Sequence, residues 1–179
     1  MIKILKLKHW QLFSLIVFFP IVGSFLFVFL ITSYPGKTEE YLKIVFIADC
    51  VSALIFISWL FNLGIQLRKL LPAAVNLKLG LFRISIFIVC SFLIYVLLWE
   101  LNLNSSYEFQ NTTILYLLYP LSLLGLFYTN YIVSIEIKSV ETKRKCSFKE
   151  SILEFILICV FPVGVWIIQP RINKIFNDR

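Results

Sequence analysis

Four long apolar stretches, separated by short polar connections, dominate the pattern of hydrophobic and polar positions along the chain. They cover residues of about 12–31, 44–63, 81–99 and 113–133. An α-helix needs about 20 predominantly apolar residues to cross a hydrocarbon core roughly 30 Å thick. The pattern therefore predicts an all-α membrane protein with four transmembrane helices, in a single integral membrane domain over residues 1–179.

The first apolar stretch follows three lysines, Lys3, Lys6 and Lys8, an order of residues that a signal peptide also shows. Its length of about 20 residues exceeds the 7–15 apolar residues typical of such peptides, and no small-residue cleavage site follows it. The stretch is therefore interpreted as a span, with cleavage as the alternative. Pro20 and Gly23 lie within it and predict a kink.

The fifth apolar stretch is too short to cross the membrane as one helix. Two capping-box patterns, at residues 147–150 and 151–154, indicate that a helix begins near one of them. Pro162 interrupts this helix after about 11 residues, or roughly 16 Å, which is half the thickness of the bilayer core. We expect a C-terminal re-entrant or interfacial broken helix, with an embedded segment over about residues 151–169 and a surface helix over residues 170–176. A kinked fifth span is the alternative.

The composition rules out an ordinary soluble domain. Hydrophobic residues make up 60% of the chain and charged residues 15%, with a mean hydropathy of +0.89, whereas soluble domains are roughly 45–50% apolar and about 25% charged. A single histidine and four cysteines without C-x-x-C spacing give no support for a metal site or a cofactor. The net charge of +7 comes from residues beside the spans, without a basic stripe of stacking aromatics, so nucleic acid is not an expected partner.

The distribution of basic residues predicts the orientation of the chain. With four spans and the N-terminus inside, only Lys37 and Lys43 of the 17 lysines and arginines fall outside. This agrees with the excess of Lys and Arg in cytoplasmic connections. A fifth span would carry Arg171 and Lys174 across the membrane as well. We therefore expect a multi-pass protein of a bacterial inner (plasma) membrane with both termini cytoplasmic.

Asp49 is the only acidic residue well inside a predicted span. An ionisable side chain there costs at least about 2.5–3.5 kcal/mol on insertion scales and usually faces a bundle interior or a cavity. By depth, Tyr95, Tyr116 and Tyr119 belong to the same layer, whereas Arg83 lies near the inner end of the third span, too far away for a salt bridge. Asp49 and the three tyrosines are interpreted as an intramembrane polar cluster. It is either a proton or cation site or a buried, hydrogen-bonded group that fixes helix packing.

A basic cytoplasmic patch is predicted after the fourth span. It consists of Lys138, Lys143, Arg144, Lys145 and Lys149. Each such charge contributes about 1 kcal/mol near an anionic membrane surface. The lipid bilayer with its anionic headgroups is therefore one expected partner, and the acidic surface of a protein is the other.

Small residues recur near one face of the fourth predicted span, at Ser122, Gly125 and Thr129. Small side chains allow helix backbones to approach closely, so this face predicts a helix–helix seam. The seam lies either within the chain or between protomers. In the second case the protein would be a homo-oligomer.

The C-terminal sequence combines prolines, a glycine, a tryptophan and amides in the string Phe161-Pro-Val-Gly-Val-Trp-Ile-Ile-Gln-Pro-Arg-Ile-Asn-Lys174. It resembles the tail of a group of small uncharacterised bacterial integral membrane proteins, which end in F-P-x-G-x-W-x-x-Q-P-R-x-N after a charged cytoplasmic segment. The resemblance implies no activity, but it implies that the matching residues form a unit: Pro162, Gly164, Trp166, Gln169, Pro170, Arg171 and Asn173. We expect Gln169 and Asn173 to satisfy backbone groups freed at the prolines, and Arg171 to anchor the tail at lipid headgroups.

The sequence shows no nucleophile–base pair and no metal-ligand set, so an enzyme is not expected. It favours a non-enzymatic accessory or assembly protein that presents its basic cytoplasmic segment and its tail to a protein partner. The alternative is a small oligomeric channel or transporter built around the Asp49-centred polar site. Broken helices near the midplane, which secondary transporters often contain, favour that alternative.

Overall fold

The computed structural model describes residues 7–34, 36, 38–71, 79–100 and 112–177, which form helices and short connections without a β-strand. In chain order the elements are α1 (His9–Phe13), a π-helical turn (Ser14–Phe18), α2 (Phe19–Ser33), α3 (Thr38–Arg68), α4 (Leu79–Glu100), α5 (Thr112–Thr142), a 3-10 turn (Phe148–Ser151), α6 (Ile152–Cys159) and α7 (Phe161–Asn177). Within the described ranges, four helical segments are long and apolar enough to cross a membrane, and a bent helix pair follows them. The predicted fold class, an all-α multi-pass membrane protein, is confirmed.

Two of the spans continue beyond the apolar stretches that predicted them. α3 ends at Arg68 rather than near residue 63, and α5 ends at Thr142 rather than near residue 133. The added turns persist because their charged residues pair across helices, as Glu136 on α5 does with Arg68. We call this end of the molecule, where α3 and α5 stop, the charged end of the bundle.

The first span is irregular close to the predicted kink. A π-helical turn over Ser14–Phe18 joins α1 to α2, and Pro20 lies in the first turn of α2. Proline has no N–H to donate, and its ring crowds the carbonyl four residues earlier, which here belongs to Ile16 in the π-helical turn. Such turns accommodate irregular hydrogen bonding, so the span continues past the proline.

The C-terminal helices form a hairpin that doubles back on itself. Between the helical segment Phe148–Cys159 and the helical segment Val163–Phe176 the direction of the chain changes by 120°. At the bend, a Cβ added to Gly164 would overlap the carbonyl oxygen of Leu157. The two backbones can approach this closely only because residue 164 is a glycine.

The break lies close to its predicted position at Pro162, but the helix that follows it is longer than predicted. α6 ends at Cys159, and α7 then runs through Pro170 to Asn177 as one helix. The division into an embedded segment over residues 151–169 and a surface helix over residues 170–176 is therefore wrong. Pro162 lies in the first turn of α7, where a missing N–H is tolerated, so it marks the start of a helix. Ile172, expected at the membrane surface, is fully buried in the core.

The hydrophobic core lies toward the charged end. Its largest fully buried side chains include Trp59 and Leu63 on α3, Phe82 on α4 and Ile168 on α7. The predicted seam of small residues lies between α4 and α5, because a Cβ at Gly125 would be 3.1 Å from the carbonyl oxygen of Ser85. This seam is internal to the chain.

Candidate functional site

The charged end contains two groups of ion pairs between helices. In the first, Arg68 Nε on α3 donates to Glu136 Oε1 on α5 at 2.6 Å, and the Glu136 side chain is fully buried. The Arg68 guanidinium also lies 5.0 Å from the centre of the Phe82 ring on α4, in a cation–π arrangement. Three spans therefore meet at this pair.

The second group of ion pairs joins α5 to both helices of the hairpin. Arg171 on α7 donates to Glu141 on α5 (Nε to Oε1, 2.8 Å) and to Glu154 on α6 (Nη2 to Oε1, 2.7 Å). Lys138 on α5 places a second cation 3.5 Å from the same Glu154 oxygen. Since the Glu154 side chain is 1% exposed, its charge is compensated by these two cations inside the protein.

These contacts fix the orientation of the hairpin. Glu154 and Arg171 are separated by 17 residues, which is about 25 Å along a straight helix. Their side chains nevertheless meet, and both lie beside the last turns of α5. A straight helix would hold these residues apart, so the hairpin folds back and brings its two ends together beside the end of α5.

Polar side chains of α7 also hold the N-terminal segment. Gln169 is fully buried, donates to the carbonyl oxygen of Leu7 at 3.0 Å, and accepts a hydrogen bond from Trp59 Nε1 at 3.0 Å. Asn173 donates to the same carbonyl at 3.3 Å. Leu7 and α7 therefore both lie at the charged end, which agrees with an even number of crossings between them.

The residues of the tail motif have other contacts than those expected. Gln169 and Asn173 bind a carbonyl of the N-terminal segment instead of backbone groups freed at the prolines, and Arg171 pairs with carboxylates of the protein. Trp166 is half exposed, and its ring lies edge-on to Phe13 at 5.6 Å. The motif therefore attaches the hairpin to the bundle, and the anchoring of Arg171 at lipid headgroups stays a prediction.

The connection from α5 to the hairpin, residues 143–149, is called the basic loop. It is fixed at its centre, because the backbone N–H of Cys146 donates to the Ser139 hydroxyl at 3.1 Å. It is fixed again at its end, where the backbone N–H of Ser147 donates to Glu150 Oε2 at 2.9 Å. This second contact belongs to the first of the two predicted capping boxes. The loop thus has a defined conformation.

Only part of the predicted basic patch is free at the surface. Lys138 is paired with Glu154, and Arg144 with Glu150. The hydrogen bond from Arg144, together with the one from the backbone, lowers the pKa of the Glu150 carboxyl below its usual range. The other lysines of the patch are exposed and form no ion pair with a described residue: Lys143, Lys145 and Lys149.

The predicted intramembrane cluster around Asp49 is not a buried one. Asp49 is exposed on α3 and forms no hydrogen bond or ion pair with a described residue. Tyr116 and Tyr119 on α5 are 75% and 53% exposed, and the Tyr95 ring on α4 packs against Trp99 at 6.2 Å. The interpretation as a buried, hydrogen-bonded cluster is therefore wrong for Asp49, Tyr116 and Tyr119, which are exposed at the surface of the bundle.

Sequence reasoning missed the acidic residues at the charged end: Glu136, Glu141 and Glu154. One signal was present, because Glu136 lies three residues after the fourth apolar stretch and Glu154 lies inside the fifth. A carboxylate in such a position needs a cation nearby. The identity of that cation depends on which helices pack together, and the sequence does not contain this information locally.

Among the described residues, no three His, Cys, Asp or Glu side chains come together in a way that could hold a metal ion. Comparison with protein-family models, curated proteins and solved structures found no match to the chain. The resemblance of the tail therefore stays a prediction.

Proposed function

We propose that the chain is a non-enzymatic accessory or assembly protein of a bacterial inner membrane, which presents the basic loop to a protein partner on the cytoplasmic side. One observation carries the proposal: the cations Arg68, Lys138 and Arg171 are paired within the protein, whereas three lysines of the basic loop are exposed and unpaired among the described residues. The excess of lysine and arginine on this side of the predicted spans supports its placement in the cytoplasm.

The fixed conformation of the basic loop favours a protein as the partner. Binding costs less when the interacting groups are already ordered, and the contacts of Cys146 and Ser147 order the loop before any partner arrives. Anionic lipids contribute attraction of about 1 kcal/mol per exposed charge near the surface, but mobile headgroups do not require an ordered loop. An acidic protein surface that matches the three lysines is therefore the preferred partner.

The hairpin supports this role by holding the basic loop in position. Its residues Gln169 and Arg171 are engaged with the bundle, so α7 holds the start of the hairpin in place and offers few free polar groups of its own. The tail thus positions the basic loop, and the loop supplies the contact surface.

A photo-crosslinking amino acid at Lys145, introduced in the cells that produce the protein, tests the proposal. We expect one dominant protein adduct. It should be lost when Lys143 and Lys149 are both changed to glutamate, because an acidic partner is then repelled. In the matched control, Lys69 and Lys174 are changed to glutamate. These lysines are exposed at the same end of the molecule but lie outside the basic loop. With this control the adduct should persist.

Adducts with lipid alone, or a protein adduct that both pairs of substitutions weaken equally, would overturn the proposal. Thermal unfolding of the purified variants shows whether each of them is folded. Because the exchanged lysines are exposed, we expect changes in unfolding free energy within about 0.5 kcal/mol.

A further inference from the structure

A cavity of about 160 Å³ lies between α3, α4 and α5, near the middle of the spans. Its walls include Ala53 and Phe56 on α3, Phe92 on α4 and Ser122 on α5. The Ser122 hydroxyl donates to the backbone carbonyl of Tyr119 at 2.7 Å, so its donor is already used and the lining offers a ligand mainly apolar surface. An apolar cavity of about 150 Å³ stays dry and takes up benzene. This cavity therefore has room for one apolar group of about that size.

The cavity is accessible from outside the bundle. Two of its lining residues on α5, Tyr119 and Leu123, are 53% and 37% exposed. The Phe92 and Tyr119 rings, whose centres lie 5.9 Å apart, border the cavity on this side. A molecule dissolved in the outer part of the bilayer can thus reach the cavity without unfolding the charged end.

Asp49 stands beside the cavity on the same face of α3. It precedes Ala53 by four residues and Phe56 by seven, a spacing that places side chains on one helix face. At 1.5 Å per residue it lies about 6 Å from Ala53 along the axis, toward the end opposite the charged end. Its exposed carboxyl group therefore flanks the apolar cavity.

The carboxyl group of Asp49 differs from those at the charged end in having no described partner. Glu136 and Glu154 are each paired with a cation of the protein, whereas Asp49 forms no ion pair or hydrogen bond with a described residue. An ionisable side chain within a span costs at least about 2.5–3.5 kcal/mol unless it is compensated, and a nearby cation favours its charged form. A ligand that brings a cation and an apolar group fits both features.

We propose that the cavity and Asp49 together bind an amphipathic organic cation, namely an amine that carries one apolar group about the size of benzene. The apolar group occupies the cavity between the three spans, and the ammonium group donates to the Asp49 carboxylate. Asp49 is 19 residues from Arg68 on α3, which is about 28 Å along the helix. The site is therefore separate from the basic loop, and the two proposals stand independently.

Fluorine NMR of 4-fluorobenzylamine, added to the full chain in phosphatidylcholine nanodiscs, tests this site. Empty nanodiscs correct for partition into lipid, and 4-fluorobenzyl alcohol serves as the neutral analogue. We expect saturable binding of the amine. Its affinity should be at least about tenfold higher than that of the alcohol, because a hydrogen bond between charged groups contributes about that much. Asp49→Asn should remove this preference, and Ala53→Leu should weaken both ligands because it fills the cavity. Tyr116→Phe, at the same depth but outside the cavity lining, should change neither.

The comparison of amine with alcohol on the unaltered chain decides the proposal even if a variant fails to fold. Equal affinity for the two ligands, or no saturable binding beyond empty nanodiscs, would overturn it. The proposal would also be overturned if Asp49→Asn leaves the affinity for the amine unchanged while the variant unfolds thermally like the original chain.

Discussion

The two halves of the bundle are held in different ways. At the charged end, Trp59, Leu63 and Phe82 are at most 1% exposed, and ion pairs link the helices. Toward the other end, Phe25 and Tyr116 are 74% and 75% exposed. Lipid chains are as apolar as leucine, so the exposed half gains little by packing its helices together. The charged end therefore provides most of the specific contacts that define the fold.

The largest expected effect comes from removing one member of the buried pair at the charged end. Glu136→Gln removes the carboxylate that accepts from Arg68, whose side chain is 13% exposed. Breaking a buried pair in this way costs about 3–5 kcal/mol of unfolding free energy, whereas replacing both members with apolar residues is often nearly neutral. Titration with dodecyl sulfate should show a large loss for Glu136→Gln and a much smaller one for Arg68→Met combined with Glu136→Leu.

A double variant as unstable as the single one would show that the pair itself, and not an uncompensated charge, stabilises this end. If Glu136→Gln is as stable as the original chain, the contacts at the charged end contribute less to the free energy of unfolding than the comparison of the two halves implies.

The spans could be predicted from the sequence, whereas the ion pairs could not. Hydropathy over about 20 residues decides whether a helix can cross the bilayer, and that information is local. The pair of Arg68 with Glu136 joins residues 68 positions apart, and it depends on how two helices are rotated and aligned. The same limit explains Asp49: its depth followed from its position in the span, but the direction in which its side chain faces did not.

The hairpin shows a second limit. Pro162 and Gly164 correctly indicated a break, because proline and glycine disfavour the interior of a helix. The break lies within two residues of its predicted position, but the continuation of α7 through Pro170 as one helix was not predicted. The close packing of Gly164 against Leu157, which shapes the bend, was not predicted either. Local signals thus predicted a broken C-terminal helix, and its shape depends on tertiary contacts.

The next largest effect is expected at this close approach of the hairpin helices. Gly164→Ala places a methyl group against the Leu157 carbonyl, so α6 and α7 must separate. Overpacking of this kind costs about 1–3 kcal/mol, and we expect the upper part of that range because the obstacle is backbone. Gly80→Ala is the matched control, since nothing lies within 4 Å of the added Cβ. Alanine is favoured over glycine in helices, so thermal unfolding should show no loss for the control.

The smallest effect is expected in the exposed half. Leu117 on α5 is 70% exposed, and its replacement by alanine should change the unfolding free energy by less than about 0.5 kcal/mol, because lipid fills the space that the side chain leaves. The measurement is dodecyl sulfate titration at two ratios of protein to lipid. A loss of about 2 kcal/mol or more, which shrinks as the protein is diluted in lipid, would show that a second copy covers this face. The difference in exposure between the two halves would then apply to the single chain but not to the homo-oligomer.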